Sequence, residues 1–179
     1  MDDLVRNNAI LDAVEGILGP NILCWQTSFF IKKAQDSGFV SWHQDSTYWG
    51  LSEPGVCNAW VALSPSTSKS GAMCVMPGTQ NWDQIAHSDS FDKNNLLTRG
   101  QEVNAEIDEG QAVELILQPG EFSLHHVRLA HASIPNRTNA CRIGLAIRYL
   151  APDAIALHER ITKARENFIY VGTEKRSAN

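Results

Sequence analysis

The sequence predicts a mainly β domain, a sandwich or barrel with one or two helices at its margin. Two observations carry this. Short runs rich in apolar, β-branched and aromatic residues recur along the chain, closed by clusters of Gly, Pro, Asn and Ser. Helical spacing is confined to residues 8–18 and 154–165. There is no fixed-period repeat, low-complexity tract or internal linker, so the 179 residues read as one domain with room for a substantial core.

In order, Ile10, Leu11, Val14, Ile17 and Leu18 mark the first helix, and Gly19-Pro20 ends it. Residues 22–32 turn β-branched and aromatic and read as a strand, with Gln26, Ser28, Phe30 and Lys32 on one face and Trp25, Thr27, Phe29 and Ile31 on the other. A turn at residues 35–38 leads into the extended stretch 39–50. Two further short apolar runs follow at 56–63 and 72–76, the second stopped by Pro77-Gly78. From 79 to 110 no period is sustained; a loop of that length in a compact domain is usually functional or mobile, and a lid is one role open to it. Runs at 112–117 and 122–129 flank Gln118-Pro119-Gly120. After a turn at 134–139, residues 141–150 form the cleanest strand: Ile143, Leu145, Ile147 and Tyr149 alternate with Arg142, Gly144, Ala146 and Arg148. Residues 168–171 read as a last short strand.

Composition narrows the class. Hydrophobic residues make up 43% and charged residues 20%, as in globular rather than disordered chains. A net charge of −5 argues against nucleic acid or an anionic membrane as partner, and no apolar run is long enough to span a bilayer. The first residues, Met-Asp-Asp-Leu-Val-Arg, do not resemble a secretory signal. Cys24, Cys57, Cys74 and Cys141 are scattered, with no C-x-x-C pair. They read as free thiols and the protein as cytoplasmic.

Within the stretch 39–50, His43 and Asp45 stand two residues apart in an apolar, aromatic setting. In an extended segment both point to one face, with Trp42 and Gln44 on the other. Together they are two thirds of a 2-His-1-carboxylate facial triad for non-haem Fe(II); a hydrogen bond between the two side chains is the plainer alternative. The spacing alone is weak, since chance supplies about 0.3 such pairs in this composition. A second copy, His87-Ser88-Asp89, falls in the polar segment and reads as a solvated loop. Candidates for a third ligand are His125, His126, His131 and His158. His131-Ala132-Ser133 again sets two polar groups on one face, and Arg142 follows above the small Gly144 and Ala146. That arrangement suggests a slot for a small anion held by an arginine fork. An Arg142 paired with a protein carboxylate is the alternative.

Taken together, Trp42-His43-Gln44-Asp45, Ala59-Trp60-Val61-Ala62-Leu63, residues 71–79 (Gly-Ala-Met-Cys-Val-Met-Pro-Gly-Thr), residues 131–136 (His-Ala-Ser-Ile-Pro-Asn) and Arg142 through Arg148-Tyr149 resemble the phytanoyl-CoA dioxygenase-like family of Fe(II)/2-oxoglutarate oxygenases. The resemblance runs from about residue 10 to about residue 172. It implies a double-stranded β-helix (jelly roll, cupin-like) with a few flanking helices. It also implies iron bound by His43, Asp45 and His131, and 2-oxoglutarate held at its distal carboxylate by Arg142 and Ser133. Gln26 and Trp60 match residues that line the cosubstrate pocket in family members. The implied reaction consumes O2, hydroxylates a small organic molecule and releases succinate and CO2. Asp45 favours hydroxylation over halogenation, because related halogenases carry a small residue at that position. Helical sequence usually precedes the matching segment in the family, and this single oxygenase domain, residues 1–179, is expected to lack it. The competing expectation is a non-catalytic or differently metallated jelly-roll protein that binds a small ligand.

Overall fold

The computed structural model describes residues 1–48, 55–154 and 169–170. The larger of two antiparallel sheets has the order β11 (Ile169–Tyr170), β1 (Leu23–Lys32), β10 (Arg142–Leu150), β3 (Val56–Ala62), β8 (Phe122–His126). The smaller has the order β2 (Val40–His43), β9 (His131–Ser133), β4 (Met73–Val75), β7 (Val113–Leu115). Trp60, Ala62 and Ala146 of the larger sheet pack against Met73 and Val75 of the smaller, which closes the sandwich expected of a jelly roll.

Strand alternation divides the larger sheet into two working faces. The odd positions of β10 (Leu145, Ile147, Tyr149) join Cys57, Ala59 and Val61 against Ile10, Leu11 and Val14 of the helix Asn8–Leu18. That helix starts on Asn7, whose side chain accepts the Ala9 N–H, and stops at Gly19, whose φ of 79° only glycine adopts readily. The Tyr149 hydroxyl donates to the Val5 carbonyl at 2.8 Å and ties down the short helix Asp2–Val5. The even positions of β10 face inward. Their registers build rows across the sheet: Gln26, Arg148, Asn58 and His125 form one, and Ser28, Ala146, Trp60 and Ser123 the next. Lys32 lies opposite Arg142 at the far end of β1 and β10.

In the smaller sheet, Val40 pairs with Ser133 but His43 pairs with His131, so β2 carries one residue more than β9 between the two pairings. This is a β-bulge, a device that re-aims side chains. It turns Trp42 away, where its indole donates to Glu109 at 2.9 Å, and sets His43 directly across from His131.

Two expectations change. The segment 79–110 is not irregular throughout, because β5 (His87–Asp89) and β6 (Gln101–Val103) pair into a separate two-stranded ribbon. His87-Ser88-Asp89 is therefore strand, and the His87 ring is half-buried rather than solvated. The last strand forms as expected, as β11. The helix expected over 154–165 lies outside the described residues except for Ala154, which ends a 3-10 turn. His158 lies outside them as well.

Candidate metal centre

His43 closes β2, and Asp45 opens the 3-10 turn Asp45–Tyr48, so their common facing comes from a strand end running into a turn rather than from one extended segment. His131 opens β9. One donor atom from each of these three residues lies within 4.8 Å of the other two, which no other group of three His, Cys, Asp or Glu achieves among the described residues. The His43 and His131 ring centroids are 4.1 Å apart, and His43 Nε2 stands 3.5 Å from Asp45 Oδ1.

The surroundings set the state of each donor. His43 Nδ1–H donates to the Ser41 carbonyl and His131 Nδ1–H to the Leu129 carbonyl, each at 2.9 Å. Each ring is thus held by the carbonyl two residues earlier, which leaves Nε2 free for a metal. Burial, reinforced by the neighbouring His43, pushes His131 down to about 3, so it stays neutral at physiological pH. Burial works against the Asp45 carboxylate, but the imidazoles of His125 and His43 facing its oxygens, together with His131, hold it well below the usual carboxylate range. Its second oxygen, Oδ2, accepts from Asn58 Nδ2 at 2.7 Å and faces His125 Nε2 at 3.9 Å. Two imidazole nitrogens and one oxygen of a restrained carboxylate make a donor set suited to Fe(II), with open positions left over.

Opposite the three donors, a cavity of about 60 Å³ is lined by both sheets, Trp60, Met73, Ser133, Arg142 and Ala146 among them. Arg142 is 2% exposed, and burial pulls its guanidinium down to about 10. One of its amino groups donates to the Gly71 carbonyl, while Nε is buried without a hydrogen-bond partner. Arg142 forms no ion pair among the described residues, so it is not the mate of a protein carboxylate there. The slot read beside it is partly filled. A Cβ on Gly144 would come within 2.0 Å of the Trp60 ring, and the guanidinium rests 5.1 Å over that ring, so Gly144 makes room for the indole while Ala146 lines the cavity.

Lys32 is a further cation that the pattern reading did not single out. It is wholly buried, donates to Ser133 Oγ at 2.7 Å and also reaches the Ile134 carbonyl. Its signal was available: it shares the inward parity of Gln26, Ser28 and Phe30. Gly71 accommodates this cluster with φ 75°, since a Cβ there would meet the Ile134 carbonyl at 2.2 Å. Burial and the Arg142 charge push Lys32 down to about 7 from 10.5. Below about pH 7 both folded and unfolded chains are protonated, and the fold bears the full cost of burying the charge. Between about 7 and 10.5 the folded chain loses the proton first, so stability rises with pH, by at most about 1.4 kcal/mol per unit. Thermal melts of the metal-free protein from pH 6.5 to 9 are expected to show a steeper rise for the wild type than for Lys32→Met.

The remaining candidates separate. Trp60 and Ser133 stand with Arg142 in the inner cavity, whereas Gln26 is exposed and lines an outer cleft of about 470 Å³ with Ser28, Phe29, Leu97, Gln101 and Arg148. His125 faces Asp45, while His126, on the other face of β8, accepts the Arg128 N–H at 3.2 Å. Asn58 was also overlooked, although it is the one polar residue in the apolar run 56–63. All four cysteines are free thiols: Cys24 and Cys57 are buried, Cys74 is partly buried and Cys141 is exposed. No helix among the described residues is long and apolar enough to cross a membrane.

The phytanoyl-CoA dioxygenase (PhyH) family model matches residues 2–144. The chain is 30% identical over 157 residues to a probable alpha-ketoglutarate-dependent hypophosphite dioxygenase of Stutzerimonas stutzeri, covering 86% of this chain and 54% of that protein. It is 27% identical over 150 residues to the peroxisomal phytanoyl-CoA dioxygenase of Homo sapiens, covering 80% and 44%. Among solved structures, the apo form of the non-heme monooxygenase ThoJ superposes with a TM-score of 0.82 at 34% identity, covering 96% of this chain and 61% of that one. The chain spans about half the length of the curated relatives it matches.

Proposed function

The chain belongs to the phytanoyl-CoA dioxygenase family, and from that premise we propose that it is an Fe(II)- and 2-oxoglutarate-dependent dioxygenase that hydroxylates a small organic molecule and releases succinate and CO2. The observation that carries this reading is one cavity with a three-donor set at one end and a buried arginine, its Nε without a partner, at the other. In this reading His43, Asp45 and His131 hold the iron. Arg142 and Ser133 take the distal carboxylate of 2-oxoglutarate, a planar anion matched to the guanidinium fork. Trp60 walls that carboxylate, and Lys32 orients the Ser133 hydroxyl.

Bound iron supplies the oxidising power, by coupling O2 reduction to decarboxylation of the 2-oxo acid. The chain supplies position and exclusion of water. His43 and His131 present their Nε2 atoms, Asn58 keeps one Asp45 oxygen occupied, and apolar residues such as Met73 and Ala146 line the cavity beside Arg142. The outer cleft opens from the same metal residues, since His43 and Asp45 line both spaces. Its mixture of Gln26, Ser28, Gln101 and Arg148 with Phe29, Leu96 and Leu97 suits a small substrate of mixed polarity, and Gln26 then faces substrate more closely than cosubstrate. The acidic net charge and the free thiols support a small-molecule rather than nucleic-acid partner and a cytoplasmic location.

Anaerobic addition of Fe(II) and 2-oxoglutarate to the protein is expected to produce the weak visible charge-transfer band of the chelate, and aeration to produce succinate. Absence of both would leave a small-ligand-binding jelly roll as the better reading.

A further inference from the structure

The residue between the two early ligands is buried completely and is the most heavily bonded point of the metal loop. Gln44 Nε2 donates to the Arg128 carbonyl at 2.9 Å, in the connection that leads to His131. Its Oε1 accepts from the Ile85 N–H at 2.8 Å and from Gln84 Nε2 at 2.9 Å. Its backbone N–H, at the junction of β2 and the 3-10 turn, donates to His87 Nε2 at 2.9 Å. The His87 ring is turned for that role, because Nδ1–H donates to the Ile85 carbonyl at 2.8 Å, with Thr47 Oγ1 also 2.9 Å from Nδ1. The second H-x-D of the sequence is thus docked against the first.

The same excursion reaches the other early ligand. The Ser41 carbonyl orients His43, while the Ser41 hydroxyl donates to the Gln101 carbonyl and accepts from Asn95 Nδ2 at 2.7 Å. The Leu96 N–H donates to the Phe39 carbonyl at 2.8 Å. Leu96, Leu97, Thr98 and Gln101 line the outer cleft. The limb that lines the cleft and the limb that grips Gln44 are joined by the β5–β6 ribbon, in which His87 pairs with Val103 and Asp89 with Gln101.

We propose that His87 and Gln44 are positioning residues that set the separation and aim of His43 and Asp45, so that the 84–101 excursion links occupancy of the outer cleft to the geometry of the metal centre. The inference rests on the reading of His43, Asp45 and His131 as a metal site. It gives part of the 79–110 segment a role other than that of a lid. Coupling of this kind is reciprocal: if the docked excursion favours metal binding, metal binding favours the docked excursion.

The test uses Co(II), a spectroscopic probe of the donor set. His87→Phe keeps a ring but removes the acceptor for the Gln44 N–H, and His87→Gln restores an acceptor. With circular dichroism unchanged, His87→Phe is expected to bind Co(II) about tenfold more weakly, at the lower end for loss of a ligand-orienting partner. Its visible d–d bands should differ from wild type, and His87→Gln should recover both properties. In the wild-type protein, Co(II) is expected to slow hydrogen exchange at the Ile85 and Leu96 amides, a readout that holds even if His87→Phe fails to fold. Wild-type affinity and spectrum in a folded His87→Phe, or Co(II)-independent exchange at both amides, would overturn the proposal. Asp45→Ala keeps the two levels apart: its loss of Co(II) binding leaves the metal site standing whatever His87 does, and retained binding removes the site itself.

Discussion

Asp45→Ala is expected to abolish 2-oxoglutarate-dependent succinate formation and to weaken Fe(II) binding by more than about 100-fold, beyond the 10–100-fold typical of losing only an outer partner. Asp45 is the one anionic member of the donor set, and His43 and His131 cannot replace its charge. The substitution also leaves Asn58 Nδ2 without its acceptor and His125 facing a void. Asp45→Asn separates the two consequences, because it keeps the shape and a carbonyl oxygen while losing the charge. Metal titration and succinate release measured on both variants decide the matter. Full hydroxylation by Asp45→Ala would remove the triad assignment.

Arg142→Ala is expected to raise the KM for 2-oxoglutarate by several hundredfold with metal affinity unchanged, since stranding a buried carboxylate without its partner costs about 3–5 kcal/mol. The guanidinium is fixed before any ligand arrives. Gly71 accepts from one amino group, Trp60 lies beneath it, and Nε is left over for an anion. Arg142→Lys should recover little of the loss, because a point charge cannot reproduce the planar fork. Steady-state kinetics over a wide 2-oxoglutarate range is the measurement. An unchanged KM would move the anchor to Arg148, which lines the cavity from the same face of β10.

Much of this arrangement was legible in the chain, for identifiable reasons. The alternation in β10 separated core from cavity because side chains on a strand have only two directions to take, and Arg142 and Arg148 declared the inward one. The pairing of His43 with Asp45 was readable from spacing, although the local geometry came from a different source. The spacing argument assumed one continuous strand, and Asp45 sits instead in a 3-10 turn. Spacing and periodicity alone could not supply whatever depends on distant segments meeting; His131 entered as the third ligand through the family resemblance. The separation of 88 residues between His43 and His131 carries no periodic signal, nor does the docking of His87 on Gln44. The ribbon β5–β6 escaped because its strands are three residues each, too short to show alternation, and are held also by neighbours, Ser41 bonding to Gln101 and Gln44 to His87. Lys32 and Asn58 were visible as polar residues on inward or apolar stretches, but parity alone does not say what a buried polar group will bond to.

The bulge in β2 makes assembly of the triad a question of odd and even. Pairing of Val40 with Ser133 is satisfied by ordinary sheet energetics whether two or three steps separate it from the next matched pair. With two, Trp42 would stand across from His131 and the imidazole of His43 would point out of the sandwich; with three, the histidines meet. The ligand set is therefore encoded in a count of residues as much as in their kinds. Removing one residue between Val40 and His43 would leave the Val40–Ser133 pairing in place and still dismantle the centre.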